Sequence, residues 1–325
     1  MFYTLQKVLE KTKNLVRSLS YRFNRIVSLN IRKINFKLYI RGKNIQGHSV
    51  YGFMSDNKHV YEVAIITCLK NIVEKNKEIV FADIGSFVGF YAIYFSKLTD
   101  NSLKVYAIES NELYCEDIKK SLNINKIKNI EILNAILSDK DEEQIFYREF
   151  ALIKENLKSS NFQNKRLFNE ISANSKKSKT VKLDDLFLNK KEKPNILKID
   201  VHGAEGKVIR GGKKILKENV KVILLELHTQ SDLNIYSNGI KRKEIISELN
   251  VLGFNTYLIS PFRELDRQGL DDKFLNYEKK LDYKEVTKLN ADELFFGNNN
   301  DAFILCLNKT YEIEKFNCFS YKQNM

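Results

Sequence analysis

Short apolar runs alternate with segments in which apolar residues recur at helical spacing, from about residue 79 to residue 307. Alternation of this kind predicts a mainly parallel sheet whose strands are connected by helices. The seven predicted strands are residues 79–84, 105–109, 130–137, 194–201, 220–228, 254–260 and 302–307. The clearest helical segments between them are residues 90–98, 112–123 and 241–252. The pattern therefore indicates an α/β fold.

Polar segments interrupt this α/β domain, which we predict to span residues 53–310. The stretch 154–179 is rich in Asn, Ser and Lys and follows a short predicted strand at 144–148. Loops of this length inside a compact domain are usually functional or disordered, so we predict a lid or a substrate loop here. A second insert, 263–296, is predicted to cover the substrate side, and residues 311–325 are left as a C-terminal tail.

The first 52 residues are predicted to be an extension that carries most of the net positive charge. The net charge of the chain is +13, and residues 1–50 hold eleven Lys and Arg against Glu10 alone. Apolar residues near helical spacing from Phe2 to Val27 predict an amphipathic basic helix, and residues 34–40 alternate like a strand. Three partners for residues 1–43 stay open: the protein's own domain or a second copy, an anionic membrane surface, and nucleic acid.

Targeting and redox signals are sparse in this chain. No apolar run reaches the roughly 18 residues needed to span a bilayer, and the amino terminus lacks the pattern of a secretory signal. The four cysteines lie without a CxxC pair, which is typical of reduced thiols. They are Cys68, Cys115, Cys306 and Cys318. We therefore predict a cytoplasmic protein, with the basic extension as a candidate contact to the inner membrane face.

A glycine turn follows the first predicted strand, and Glu109 ends the second. Glycines let a ligand approach the backbone, and an acid at the tip of the second strand can accept hydrogen bonds from ribose hydroxyls. The middle glycine of the dinucleotide fingerprint is missing, because Phe87 stands between Gly85 and Gly89. S-adenosylmethionine, a cofactor without phosphate, is therefore favoured over a nicotinamide or flavin dinucleotide.

Polar side chains cluster after the fourth and fifth predicted strands. Asp200, His202 and Glu205 follow the fourth strand, and Glu226 and His228 end the fifth. The carboxyl ends of parallel strands meet at one edge of a sheet, so these side chains are expected to lie together. Either His228 or His202 is favoured as a general base, because an unperturbed imidazole is partly neutral at pH 7. Asp200 and Glu226 are the other catalytic candidates.

A metal ion is an alternative use of the same cluster. Oxygen and nitrogen donors could hold a hard divalent ion such as Mg²⁺ and orient a diol. The candidate ligands are Asp200, Glu205, Glu226 and His228, with His202 as a further donor. Donor types alone do not decide between a metal site and a base.

Five ordered motifs resemble the FkbM family of S-adenosylmethionine-dependent methyltransferases, across roughly residues 53–307. The motifs are residues 83–89, 109–111, 183–186, 197–205 and 225–228. The resemblance implies a Rossmann-like class I methyltransferase fold: a mostly parallel sheet of order 3-2-1-4-5-7-6, one antiparallel strand, and helices on both faces. It also implies methylation of a hydroxyl group, commonly on a sugar or a secondary metabolite.

The resemblance also suggests roles for cofactor-binding residues. Asp83, Gly85 and Gly89 are assigned to the methionine side of S-adenosylmethionine, and Glu109 to its ribose. Asn134 and Ala135 are assigned to the adenine edge by strand position alone.

The sequence departs from the family pattern in three places. Ser86 and Phe87 stand in place of alanine and asparagine, Ser110 in place of proline, and His202 in place of glutamate. The last change exchanges a carboxylate for an imidazole. Either the base has been exchanged, or activity has been retuned or lost.

Two other functions compete with this interpretation. A nucleic-acid methyltransferase would suit the basic charge, but no proline-proline-aromatic motif follows the fourth strand and no cysteine follows a proline. A methyltransferase-fold scaffold at the membrane is conceivable because of Phe87 and His202. We predict an O-methyltransferase whose acceptor is a sugar, a sugar nucleotide or a glycan precursor of a surface polysaccharide or related glycan. Nucleic acid is not the expected partner, and a homo-oligomer stays open.

Overall fold

The computed structural model describes residues 22–57, 62–76, 78–141, 143–147, 150–152, 176–260, 282–285, 287, 290 and 301–311. Most of the predicted N-terminal helix lies outside these residues. The same holds for most of both predicted inserts and for the C-terminal tail beyond residue 311.

Fourteen strands and nine helices are described. The strands are β1 (Arg25–Ile31), β2 (Ile34–Ile40), β3 (Val80–Ile84), β4 (Lys104–Glu109), β5 (Ile130–Asn134), β6 (Ile136–Leu137), β7 (Glu143–Tyr147), β8 (Phe150–Leu152), β9 (Lys176–Val181), β10 (Ile196–Ile199), β11 (Val222–Leu227), β12 (Phe254–Ser260), β13 (Asp282–Glu285) and β14 (Ala302–Asn308). The helices are α1 (Ile45–Asn57), α2 (Val63–Lys75), α3 (Phe90–Leu98), α4 (Glu112–Asn125), α5 (Leu183–Phe187), α6 (Glu205–Gly211), α7 (Lys213–Glu218), α8 (Gln230–Tyr236) and α9 (Arg242–Val251).

The central sheet has the order β13-β12-β14-β11-β10-β3-β4-β5. Strands β11, β10, β3, β4 and β5 pair in parallel, whereas β14 runs antiparallel to both of its neighbours. Without β13 this is the expected order 3-2-1-4-5-7-6, and the seven-stranded, mostly parallel sheet is confirmed. The short strand β13 pairs antiparallel with β12 and adds an eighth strand at the edge, within the predicted insert 263–296.

Successive side chains of the central strands face opposite layers, as the period of two in a strand requires. Phe81 packs among residues of α1 to α4, and the adjacent Ala82 packs among residues of α5 to α9. Helices therefore cover both faces of the sheet. The near-continuous apolar strands β3, β10 and β11 follow from burial on both faces.

The N-terminal hairpin β1–β2 belongs to the same core. Leu38 and Ile40 are fully buried in the cluster that also holds residues of α3 and α4. Arg41 at its end binds the buried Asp117 of α4, with 3.0 Å between Nη2 and Oδ1. The strand predicted at 34–40 is confirmed. The predicted helix through Val27 is wrong at its C-terminal end, because strand pairing with β2 takes residues 25–31.

Residues 130–137 divide between two sheets instead of forming one strand. Strand β5 pairs with β4 in the central sheet, whereas β6 pairs with β9 in a small sheet of order β6-β9-β7-β8. The chain changes sheet at Ala135, whose N–H donates to the carbonyl oxygen of Glu109. This change of direction brings residues 135–137 to the carboxyl edge of the central sheet, beside the tip of β4.

In the described part of the chain, every helix is too short or too polar to cross a membrane.

Candidate active site

A cavity of about 550 Å³ opens at the carboxyl ends of β3, β4, β10 and β11. Its wall has two parts that we name separately. The glycine-turn side is lined by Gly85, Ser86, Phe87, Glu109, Ala135 and Ile136. The histidine side is lined by Lys198, Asp200, His202, Glu226, His228, Asp232 and Asp301. This is the edge at which ligands of open α/β sheets bind.

Gly85 joins the two sides of the cavity. Its φ is +81°, in the region that favours glycine, and its N–H donates to the carbonyl oxygen of Ile108. A Cβ at this position would lie 1.8 Å from the carbonyl oxygen of Asp200. No side chain fits there, because the backbone that leaves β10 passes directly against the turn. The glycine-turn side and the histidine side are therefore adjacent.

Glu109 is buried at the tip of β4 and accepts three hydrogen bonds. Its Oε2 accepts from the backbone N–H of Phe87 at 2.8 Å, and its Oε1 accepts from the N–H of Asn111 at 2.8 Å and the hydroxyl of Ser110 at 3.2 Å. Burial raises the pKa of Glu109 to about 7, although these hydrogen bonds lower it. A carboxylate has about four lone-pair positions, so one acceptor position is left for a ligand.

Three of the predicted cofactor residues line the cavity and three lie behind its wall. Gly85, Glu109 and Ala135 line it. Gly89 begins α3, where a Cβ would lie 3.1 Å from the side chain of Ile118. Asn134 donates to the carbonyl oxygens of Glu109 and Ser110. Gly89 therefore lets two helices pack closely, and Asn134 braces the tip of β4.

Asp83 is the third predicted cofactor residue behind the wall. It is completely buried under the glycine turn, where its Oδ2 accepts from the N–H of Ala92 in α3 at 3.1 Å. Burial raises the pKa of Asp83 to about 6, although the charge of Lys198 lowers it. Asp83 therefore supports the turn through its hydrogen bond to α3 and does not line the cavity.

Lys198 is a residue of the cavity that the motif analysis did not select. Its side chain is buried on β10, and its Nζ donates to Asp200 Oδ2 at 2.9 Å. The Nζ also lies 4.5 Å from the ring centre of Tyr91, whose hydroxyl donates to Glu62. Burial would lower the pKa of Lys198, but the charges of Asp200 and other nearby carboxylates raise it. The signal was present in the sequence: a lysine inside an apolar run, two residues before an aspartate.

The two histidines meet at the carboxyl ends of β10 and β11. The Nδ1 of His202 lies 2.8 Å from the Nε2 of His228, and the Nδ1 of His228 lies 2.8 Å from Glu205 Oε1. His202 has a φ of +50° and precedes Gly203, which has a φ of +97°. This sharp turn after β10 aims His202 back at β11. The structure therefore brings together Asp200, His202, Glu226 and His228 at the cavity, as predicted, while Glu205 lies buried behind His228.

Negative charge dominates around the histidines. Burial lowers the pKa of His228, but the hydrogen bond to Glu205 and the charges of Glu205 and Asp200 outweigh burial and raise it to about 10. Asp200 shows the reverse balance: burial raises its pKa, and the charges of Lys198 and both histidines bring it well below its usual range. The environment of His228 thus departs from the unperturbed imidazole expected from the sequence, and the site favours positive charge.

Comparison with known families decides the identity of this domain. A family model described as the methyltransferase FkbM domain matches residues 80–256, which is 177 of 325 residues. The chain belongs to the FkbM methyltransferase family. It is an S-adenosylmethionine-dependent methyltransferase. The strand order of its central sheet independently shows the class I methyltransferase fold.

The chain is similar to several solved structures at low sequence identity. The FkbM methyltransferase from Methylobacillus flagellatus is 12% identical, over 71% of this chain and 52% of that chain, with a TM-score of 0.35. The precorrin-6y C5,15-methyltransferase from Geobacter metallireducens is 15% identical, over 76% and 88%, with a TM-score of 0.37. An S-adenosylmethionine-dependent O-methyltransferase from Thermotoga maritima is 10% identical, over 88% and 78%, with a TM-score of 0.38.

None of these similarities identifies the substrate of this FkbM methyltransferase. The chain spans about half the length of the Methylobacillus protein. No curated protein matches the chain.

The glycine-turn side fits S-adenosylmethionine by the chemistry of its donors and surfaces. Glu109 offers an acceptor for ribose hydroxyls, and Ala135 and Ile136 offer an apolar surface to the adenine. The turn at Gly85 presents backbone without a side chain. A cofactor without phosphate needs no further backbone N–H groups, so these residues could hold it.

Proposed function

We propose that this FkbM methyltransferase transfers a methyl group to a hydroxyl of a sugar, a sugar nucleotide or a glycan precursor. The observation that carries the proposal is the composition of the histidine side. Four acidic side chains line the cavity there, namely Asp200, Glu226, Asp232 and Asp301. Ionised carboxylates only accept hydrogen bonds, and a sugar presents several hydroxyl donors within a short distance. A methyl-acceptor substrate rich in hydroxyls can donate hydrogen bonds to these four carboxylates.

The chain supplies binding and positioning on the glycine-turn side. S-adenosylmethionine, when bound, provides an electrophilic methyl group on a sulfonium. Glu109, Gly85 and Ala135 are the residues that we assign to holding it. The contact between Gly85 and the backbone of Asp200 makes the two sides of the cavity adjacent. Adjacency matters because alignment of the two reactants supplies much of the rate of a direct displacement.

The attacking hydroxyl must lose its proton to a group on the histidine side. The predicted candidates Asp200, His202, Glu226 and His228 all line the cavity. The raised pKa of His228 keeps it protonated at neutral pH and the lowered pKa of Asp200 makes it a weak base, so His202 and Glu226 are the better candidates. A positioned base contributes roughly 10²- to 10⁴-fold to the rate. Lys198 holds Asp200 in place through the 2.9 Å contact and is assigned a positioning role.

The same wall disfavours a nucleic-acid acceptor. A phosphodiester backbone is recognised mainly by basic side chains. The histidine side instead combines four acidic side chains with Lys198, whose charge is already paired with Asp200. The net positive charge of the chain is concentrated in residues 1–50, away from these strand ends in sequence.

The cellular location is part of the proposal. We infer a cytoplasmic enzyme whose residues 1–43 contact an anionic membrane surface, because eleven basic residues fall within the first 50. Part of this charge is used internally, since Arg41 binds Asp117. Sedimentation with anionic liposomes at low salt tests the contact, and intact protein that stays in the supernatant would end this part of the proposal.

Calorimetric titration with S-adenosylmethionine and its demethylated product tests the cofactor site. Glu109→Ala should weaken binding by about 10- to 100-fold, because hydrogen bonds to a charged group contribute roughly 1.5–3 kcal/mol. Glu112→Ala is the matched control, since Glu112 is exposed in the first turn of α4. It should bind like the wild type. A folded wild type that binds neither compound contradicts the proposal.

Methyl transfer from labelled S-adenosylmethionine tests the acceptor class. Sugar nucleotides, free glycosides and an RNA oligonucleotide are compared at equal concentration. We expect transfer to a sugar hydroxyl and none to the oligonucleotide. Transfer to the oligonucleotide alone would replace this proposal by a nucleic-acid methyltransferase.

A further inference from the structure

Three donor atoms of the histidine side form a small triangle. His202 Nδ1 and His228 Nε2 are 2.8 Å apart, and each lies 3.8 Å from Asp200 Oδ1. The three residues come from two places in the chain, the turn after β10 and the end of β11. Two imidazole nitrogens, which are hydrogen-bonded to each other, and one carboxylate oxygen thus lie within 3.8 Å of one another at the cavity.

The size of the triangle matches the size of a metal ion. With sides of 2.8, 3.8 and 3.8 Å, the point equidistant from the three atoms lies about 2.0 Å from each of them. Bonds from Zn²⁺ to histidine nitrogen and carboxylate oxygen are roughly 2.0–2.2 Å long. An ion that replaces the hydrogen bond between the two imidazoles, and its proton, would therefore lie at bonding distance from all three atoms.

Two further features of the site favour a cation. The Oδ1 of Asp200 is buried and accepts no hydrogen bond, although Oδ2 of the same carboxylate is bound by Lys198. A buried acceptor of this kind is costly unless something binds it. Glu205 Oε1 holds the other ring nitrogen of His228, Nδ1, at 2.8 Å. Metal-binding histidines almost always make such a contact through their second nitrogen, which fixes the ring orientation.

We propose that Asp200, His202 and His228 bind a divalent transition-metal ion through Asp200 Oδ1, His202 Nδ1 and His228 Nε2. Glu205 orients His228 without binding the ion. Two imidazoles and one carboxylate suit Zn²⁺, Mn²⁺, Co²⁺ or Fe²⁺ better than Mg²⁺, which prefers oxygen ligands. The ligand set therefore differs from the one expected from the sequence, which included Glu205 and Glu226 and favoured a hard ion.

The ion would also contact the acceptor, and this role rests on the function proposed above. Three protein ligands leave coordination positions open, and all three residues line the cavity. A pair of neighbouring sugar hydroxyls can fill these positions. Such binding would orient the diol at the side of the cavity that Gly85 joins to the cofactor side.

Metal titration of protein treated with EDTA and then freed of chelator tests the site without cofactor or acceptor. We expect one Co²⁺ per chain by calorimetry, with visible absorption from nitrogen ligation, and weaker binding of Mg²⁺. His202→Asn removes one ligand, and asparagine tolerates the positive φ of this position. His202 is half-exposed, so this variant is expected to fold, which circular dichroism checks.

The variants separate ligands from supporting residues. His202→Asn should weaken Co²⁺ binding by at least 100-fold, and Glu205→Gln by about 10- to 100-fold, the usual effect of losing a partner that orients a ligand. His48→Gln is the imidazole control, because His48 lies on α1 and does not line the cavity. It should bind Co²⁺ like the wild type.

Each result bears on the site independently of catalysis. Equal Co²⁺ binding by the wild type and His202→Asn, or tighter binding of Mg²⁺ than of Co²⁺, would overturn the proposal. So would the absence of Co²⁺ binding to folded wild type. If Co²⁺ binds as expected but no sugar is methylated, the metal site stands and the proposed function fails. If sugar methylation persists in EDTA with protein that binds no Co²⁺, the function stands and the metal site fails.

Discussion

The buried positive charge of Lys198 is stabilised by the side chains around it. Its Nζ is paired with Asp200 and faces the ring of Tyr91, and both Asp83 and Glu226 lie close enough to raise its pKa. Removal of the ammonium would leave several buried carboxylates without their shared cation. Breaking a buried pair in this way costs far more than losing an exposed one.

We expect Lys198→Met to lower the free energy of unfolding by about 3 kcal/mol or more, as measured by urea denaturation. Lys190→Met is the matched control, because Lys190 pairs with Glu131 while its side chain is 30% exposed. An exposed pair contributes about 1 kcal/mol at most. Equal losses in the two variants would show that the burial of Lys198 has no energetic consequence.

Glu109 makes the stability of the protein depend on pH. Its pKa is about 7 in the folded protein against an ordinary value of 4.5, so the folded state keeps the proton longer than the unfolded state. Between pH 4.5 and 7 the folded state binds more protons, and stability must fall as the pH rises. A tenfold difference in proton affinity corresponds to about 1.4 kcal/mol, so the full loss is about 3 kcal/mol.

Urea denaturation at several pH values measures this effect against Glu109→Gln, which cannot ionise. The difference in unfolding free energy, wild type minus variant, should decrease by about 3 kcal/mol from pH 4.5 to pH 7. The variant can be less stable at every pH, because an amide has fewer acceptor positions for the three donors around residue 109. Only the change of this difference with pH tests the raised pKa of Glu109. A difference in unfolding free energy that stays constant from pH 4.5 to pH 7 would contradict it.

At the scale of elements, the hairpin β1–β2 acts as part of the hydrophobic core. Leu38 and Ile40 point inward, and the edge of β2 is fixed to α4 by the contact from the N–H of Tyr39 to the hydroxyl of Ser121 at 2.9 Å. Strand pairing with β1 satisfies the other edge. The hairpin therefore covers α3 and α4 as an additional layer.

Leu38→Ala should reduce the free energy of unfolding by about 2–5 kcal/mol, because it removes buried methyl groups and leaves a cavity. Leu113→Ala provides the control on the neighbouring helix α4, where the side chain is 49% exposed. A surface change of this kind usually stays within about 0.5 kcal/mol. A small effect of Leu38→Ala, measured by urea denaturation, would mean that the hairpin is not part of the cooperative core.

At the scale of the whole molecule, one core connects the hairpin, the helices and the central sheet. Leu38 of β2, Phe90 of α3 and Phe81 of β3 belong to a single cluster of buried residues. Elements that share a core unfold together. The extension and the methyltransferase domain are therefore expected to behave as one unit over the described residues.

Native-state hydrogen exchange measures this coupling directly. Backbone amides of β2 and of β3 should open with the same free energy, and this energy should equal that of global unfolding. Peptides covering residues 34–40 and 80–84 give the comparison by mass spectrometry. Markedly faster exchange in residues 34–40 would identify the hairpin as a separately unfolding element.

The sequence by itself determined the α/β class, the seven main strands and the glycine turn after the first of them. These features depend on local patterns: apolar runs give buried strands, helical spacing gives helices, and Gly85 marks a turn where no Cβ fits. Glu109 was found by its place at the end of a strand. The grouping of Asp200, His202, Glu226 and His228 also followed from sequence, because carboxyl ends of parallel strands meet at one edge.

Only the tertiary structure decided what depends on distances between elements. The apolar pattern continues through residues 130–137, but the exchange of strand partners at Ala135 divides them between two sheets. Asp83 and Gly89 have the motif of cofactor residues but lie behind the cavity wall, because α3 packs over them. The triangle of Asp200, His202 and His228 depends on a turn with positive φ and on the register of β10 with β11. The apolar pattern of a sequence indicates which face of a strand or helix a residue occupies. The geometry of a metal site depends instead on tenths of an ångström between atoms of strands that are distant in sequence.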